Sequence, residues 1–205
     1  MMGAGALLVL AVVCLCSSAV TAEDEASDAT PAFCRNLECP KYQVVKKYED
    51  FELRAYEPTQ WVSTTMKVDL LGFGMVKSFR RLFKYISGGN IESQKINMTV
   101  PVAIYVPVNV PSANATMSFF VSPELSPPRP LDPEVYLESF PAKSVYVKSF
   151  GGYAFDYEYA RQSKKLAEEL TSLGIPFDNS FYVRAGYNDP FTLFNRHNEV
   201  WYTAN

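Results

Sequence analysis

The chain has 205 residues, 48% hydrophobic and 14% aromatic, with a formal net charge of −3. That length holds one domain with extensions, or at most two small domains, and the apolar content is ample for a packed core. The slight acid excess argues against a nucleic-acid binder, which carries a basic surplus.

Residues 5–19 are apolar and rich in small side chains, and Val20-Thr21-Ala22 puts small residues at −3 and −1 of a cleavage site before Glu23. This pattern predicts a signal peptide over 1–22; the apolar run is short for a membrane span, which needs about 20 residues. An uncleaved anchor is the alternative. Cleavage predicts a secreted, extracellular protein with no stable span. Of the four cysteines, Cys14 and Cys16 leave with the leader, while Cys34 and Cys39 stay. An even pair in an oxidising compartment predicts a disulfide closing a very small loop, in an N-terminal tail over 23–41 ahead of a domain over 42–205. Asn97-Met98-Thr99 and Asn114-Ala115-Thr116 are glycosylation sequons in such a compartment.

Residues 44–56 read as a hairpin with Glu49-Asp50 near its turn; Phe51, Leu53 and Ala55 share one face of its second strand, and Glu52, Arg54 and Tyr56 the other. Residues 61–68 are another strand. The period then changes: Phe73, Val76, Phe79, Leu82/Phe83 and Ile86 recur at three and four, an amphipathic stripe opposite Lys77, Arg80, Arg81 and Lys84. Ser87-Gly88-Gly89-Asn90 ends that helix. Residues 95–106 alternate strictly, which predicts a half-buried strand at an edge or with a bulge at Pro101, since proline donates no ladder bond.

Strands follow over 116–121, 135–140 and 143–150, with a proline-rich stretch at 122–133 that holds no regular element. A second helix is predicted over 154–173, burying Tyr159, Ser163, Leu166, Leu170 and Leu173 and stopping at Gly174 and Pro176. Strands at 181–185 and 199–203 close the chain. The order strand, helix, strands occurs twice, so the fold class is α+β: a sheet of hairpins with two helices on it.

Several stretches together carry a resemblance. Arg54-Ala55-Tyr56-Glu57-Pro58 with Trp61-Val62-Ser63-Thr64, Met98-Thr99-Val100-Pro101-Val102, Pro127-Pro128-Arg129-Pro130, Ser149-Phe150-Gly151-Gly152-Tyr153, Ala185-Gly186-Tyr187-Asn188 and Asn195-Arg196-His197-Asn198-Glu199-Val200-Trp201 resemble, in that order, the SOUL/haem-binding protein family. The resemblance spans about 42–202. It implies a distorted β-barrel of two pseudo-symmetric halves flanked by two helices. It also implies binding of haem or another tetrapyrrole without enzymatic chemistry, in an apolar cleft between the first helix and the loop at 187–198.

Val76, Phe79 and Phe83 on the helix and Phe191 and Leu193 in the loop are the candidate cleft walls, although the loop residues could equally form a minicore of their own. Lys84, or Lys77 or Arg80, would meet a propionate, the alternative being a solvated helix face. The histidine proposed as iron ligand in some family members falls at Ala55, which cannot ligate. His197, the chain's single histidine, is the candidate haem-iron ligand at the cleft edge, against the alternative of a solvent-facing loop histidine. No Ser-His-Asp or Cys-His set, P-loop or metal-spaced cluster stands out, so no enzyme is expected. The competing expectation is a secreted module for another apolar ligand or a protein partner, with haem ligation lost.

Overall fold

The computed structural model describes residues 30–68, 72–108, 110 and 114–205. The leader and the first part of the tail, residues 1–29, lie outside the described residues.

Nine strands are all paired antiparallel: β1 (Tyr42–Lys47), β2 (Glu52–Tyr56), β3 (Thr59–Met66), β4 (Val102–Pro107), β5 (Ala115–Val121), β6 (Val135–Phe140), β7 (Lys143–Phe150), β8 (Phe177–Gly186) and β9 (Asn198–Ala204). Helix α1 (Phe73–Ile86) follows β3, and α2 (Asp156–Ser172) follows β7. The strand order is β1-β2-β7-β9-β8-β4-β5-β3-β6, an open ladder whose outer strands are β1 and β6. The fold class is therefore α+β.

The order contains an internal symmetry. β3-α1-β4-β5 and β7-α2-β8-β9 are equivalent units joined at the β4–β8 pair. The strand before each unit crosses over: β2 pairs with β7, and β6 with β3. Each half thus lends its leading strand to the other, and neither unit completes its sheet without its neighbour.

The helices end where glycine allows. Gly88 takes φ 110°, and a Cβ on Gly89 would stand 2.7 Å from the Lys84 carbonyl that the Gly89 amide caps. Asp156 and Glu158 oppose the positive end of α2, whose C-terminus turns at Gly174 with φ 65°. Leu173, expected in the α2 stripe, is exposed because it is the C-cap; Ser163, Leu166 and Leu170 are buried as expected and Tyr159 is half-buried.

The strand expected over 95–106 begins at Val102. Ile96 and Met98 pack with Val102 and Ile104 under α1, but Val100 joins the opposite cluster, so the alternation breaks at Pro101, which has no amide to donate.

Cross-strand partners share a face of the sheet. One row runs Val62, Phe119, Val102, Gly186, Asn198, Phe150 across β3, β5, β4, β8, β9 and β7. Both helices lie on that face: α1 covers Val62, Met117 and Phe119, and α2 covers Tyr146, Val200 and Tyr202. The adjacent row points the other way and is small: Ser63, Ser118, Ala103, Ala185, Glu199, Ser149. Trp61, Phe120, Val145, Val147 and Trp201 fill the second core around it, and Cys34 and Cys39, joined as a disulfide, pack into the same cluster.

Candidate functional site

α1 is apolar over more of its circumference than the sheet can cover. Its buried residues are Ser78, Leu82, Tyr85 and Ile86, while Phe73, Val76, Phe79 and Phe83 remain exposed. Arg81 fixes the orientation: its guanidinium donates to Thr64 Oγ1 at 3.0 Å and pairs with Asp132 and Glu134, next to β6. At 100° per residue, Val76, Phe79 and Phe83 stand about 140–160° round the helix from Arg81. They form the edge turned towards the middle of the sheet, where Phe79 touches the Phe119 ring at 5.2 Å. Lys84 stands only about 60° from Arg81, on the side away from that edge.

The loop between β8 and β9 is tightly tied. Asp189 Oδ1 accepts from the amides of Phe191 (2.7 Å) and Thr192 (3.0 Å), and Oδ2 from the Thr192 hydroxyl (2.7 Å). These bonds, chiefly the Thr192 hydroxyl, hold its carboxyl below the usual carboxylate range. Arg196 Nη1 donates to the carbonyls of Asp189 and Thr192, and its guanidinium lies 4.4 Å from the centre of the Tyr153 ring. Phe191, Leu193 and Phe194 are left projecting into solvent. Two buried donors in this loop, Arg196 Nε and Asn188 Nδ2, have no hydrogen-bond partner among the described residues.

His197 is turned away from α1. Its ring stacks on Phe33 at 3.9 Å and 6°, and meets Tyr187 edge-on at 5.1 Å. Nε2 lies 2.7 Å from Glu199 Oε1. Glu199 is fully buried and accepts four further bonds, from Arg54 Nη1 (2.9 Å) and Ser149 Oγ (3.3 Å) on Oε1 and from Tyr187 (2.9 Å) and Trp201 Nε1 (2.8 Å) on Oε2. Burial raises the Glu199 pKa, but the hydrogen bond from His197 and the Arg54 charge outweigh it and hold the value at about 2. An ionised carboxylate only accepts, so the shared proton belongs on Nε2. Burial alone would lower the pKa of Arg54, but the Glu199 charge drives it upward. Burial pushes the Tyr187 phenol well up.

Val76, Phe79 and Phe83 thus share one edge of α1, Phe191 and Leu193 project from the separate β8–β9 loop, and His197 lies in a different environment. Ala55 stands on β2 opposite Gln43 and Ser144, whereas the strands under α1 are β3, β5 and β6. Sequence reasoning missed Arg54 and Glu199. The available signal was the strand alternation that puts residue 54 with Tyr56 and residue 199 with Trp201, each pairing a charge with a core aromatic. Among the described residues no cluster of three or more His, Cys, Asp or Glu is arranged to hold a metal ion, and no helix is long and apolar enough to cross a membrane.

An antiparallel sheet of two interlocked halves with both helices on one face defines an α+β scaffold seen in distant solved structures. The EcmrR C-terminal domain superposes with a TM-score of 0.59 over 80% of this chain and 98% of that chain at 9% identity, and a hydrolase from Listeria innocua with 0.54 over 78% and 94% at 10% identity. At such identities the likeness concerns the fold alone. The sequence model of the SOUL heme-binding protein family matches residues 37–203, and the chain belongs to that family. It is 38% identical to heme-binding protein 2 of Homo sapiens over 74% of this chain and 76% of that protein, and 33% identical to heme-binding protein 2 of Mus musculus over 80% and 85%. Heme-binding protein 1 of Xenopus laevis is 31% identical over 76% and 84%.

Proposed function

We propose that this protein is a secreted, non-enzymatic carrier or scavenger of haem or a related tetrapyrrole, held between the exposed edge of α1 and the β8–β9 loop. The observation that carries the reading is the row Val76, Phe79 and Phe83, apolar side chains left in solvent by a helix that has already filled its share of the core. The macrocycle would lie on these residues and on Phe191 and Leu193. A distorted barrel, formed as the open sheet curls around the cluster containing Trp61 and Trp201, belongs to the same reading.

The apolar edge suits the porphyrin body, and the fit stops at the iron. Haem, when bound, would supply an iron centre that accepts a donor side chain such as His, Met, Cys or Tyr. His197 would reach it only by leaving Glu199 and Phe33, and Ala55 has no donor atom. This favours capture through apolar contact. It also keeps a second reading in play, a module for a different planar apolar ligand or a protein partner.

A hemin titration followed by absorbance tests both. A saturable Soret shift at micromolar protein is expected, weakened at least tenfold by Phe83→Asp and unmoved in wavelength by His197→Ala. A band lost in His197→Ala, with the fold intact by circular dichroism, would restore the histidine as ligand. No saturable band would sink the tetrapyrrole reading and favour the second.

A further inference from the structure

The β8–β9 loop carries more exposed apolar surface than a cleft wall needs. Phe191 is 87% exposed, Leu193 66% and Phe194 80%, values reached only by side chains that project past their neighbours. The turn that holds them is tied together by two of its own side chains. Asp189 takes the amides of Phe191 and Thr192 and the Thr192 hydroxyl, and Arg196 caps the carbonyls of Asp189 and Thr192. Those bonds stay within the protein when the tip leaves water, which lowers the cost that a low-dielectric phase imposes on a backbone.

Behind the tip stands a band of aromatic side chains. Tyr153 donates to the Pro190 carbonyl at 3.3 Å and lies under the Arg196 guanidinium, and the stacked rings of Phe155 and Tyr157 continue the surface at the N-terminus of α2. Both of these last rings are exposed. Tyrosines with one wet end behind a purely apolar tip match the layering of a bilayer interface. Two acids around the patch are paired, Asp156 with Arg184 and Glu158 with Arg161, and the ionised Asp189 accepts three hydrogen bonds from the turn.

We propose that residues 190–194 form an insertion tip that docks the protein on a phospholipid surface, with Tyr153, Phe155 and Tyr157 at headgroup level. A convex tip of two phenyl rings and a leucine needs a phase that closes around it, as acyl chains do; a protein partner would need a matching pit. The proposal is independent of what the cleft binds. It gives the protein a way to meet a lipophilic ligand where such ligands concentrate.

The test uses ligand-free protein and phosphatidylcholine vesicles. Trp61 and Trp201 are buried in the core, so a Phe194→Trp variant adds a reporter at the tip. Vesicles should shift its emission to the blue, brominated lipid should quench it, and 0.5 M salt, roughly three times physiological ionic strength, should leave both effects in place. Each apolar side chain inserted contributes about tenfold in partitioning, so Phe191→Ser/Leu193→Ser/Phe194→Ser should lose about a hundredfold or more in vesicle flotation. Near-ultraviolet circular dichroism checks that this variant is folded. An unchanged emission spectrum, equal flotation of the triple variant, or binding that needs anionic lipid and vanishes in salt would each overturn the proposal. So would a concentration-dependent dimer in the absence of vesicles that the triple substitution abolishes, since a second copy would then cover the tip.

Discussion

Replacing Glu199 by glutamine should be among the most damaging isosteric changes in the molecule. The side chain is fully buried and accepts bonds from five donors on five residues. An amide keeps the volume but removes the charge and puts an NH2 where donors already point. Arg54, itself buried, then retains only the Glu52 carboxylate at 2.9 Å as an ionic partner. Breaking one side of a buried ion pair costs about 3–5 kcal/mol, because the remaining charge stays out of water. The surviving Glu52 contact places Glu199→Gln near the lower bound, about 3 kcal/mol. With a urea m-value of about 2 kcal/mol/M, the midpoint should fall by about 1.5 M with little change in slope. The double variant Arg54→Met/Glu199→Gln removes both charges and should recover part of the loss, giving a favourable coupling of about 1–3 kcal/mol. A drop below about 0.5 M for the single variant, or strict additivity in the double one, would show that the cluster is not a charge-locked unit.

The same carboxylate sets an acid limit on stability. Its folded pKa of about 2 lies below the unfolded value of about 4.3, so its contribution, about 3 kcal/mol, is complete above pH 5 and is lost as pH falls towards 2. Urea midpoints from pH 7 to pH 2 should show this, and Glu199→Gln should flatten that part of the profile. Cys34→Ser/Cys39→Ser opens a loop of very few residues, worth about 2 kcal/mol at most on loop entropy. Its clearer signature should be local: release of Phe33 moves the ring protons of His197, the chain's single histidine, in the NMR spectrum. Asn97 and Asn114 are both exposed, so protein expressed through the secretory route should lose two glycans in mass on enzymatic deglycosylation. Loss of neither would count against the secretory expectation.

Periodicity located the elements well because burial on one face writes itself into the sequence. α1 spans Phe73–Ile86 as its three-four spacing predicts, and β6 and β7 fall on the expected residues. It could not say which part of a broad apolar stripe faces the sheet. Leu82, Tyr85 and Ile86 went under, and Phe79 and Phe83 stayed at the rim, a choice made by Arg81 reaching Thr64 and Glu134. Strand pairing was hidden for a similar reason. β6 follows directly on β5 but pairs with β3, and β2 precedes β3 but pairs with β7, so adjacency in sequence pointed to hairpins that the interlocked halves do not make. The charge cluster was the least legible part, since Arg54 and Glu199 are 145 residues apart and each alone reads as an ordinary polar position in a strand.

The two faces of the sheet divide the chemistry between them. Beneath the helices, apolar side chains exceed what the sheet can cover, and the surplus on α1 is available to a ligand. On the other face, the small row of Ser63, Ser118, Ala103, Ala185 and Ser149 leaves room for Glu199 and its donors, and every oxygen there is committed. His197 sits on the committed side. Moving it to a ligand would expose Glu199 to the loss of its shortest hydrogen bond and Phe33 to the loss of its stacking partner, while the disulfide keeps residues 34–39 packed on the core. On the proposed reading, a tetrapyrrole would be gained and released at the α1 edge without disturbing the cluster that holds the fold together. On that reading, capture by surface apolar contact would cost the fold less than iron ligation through His197.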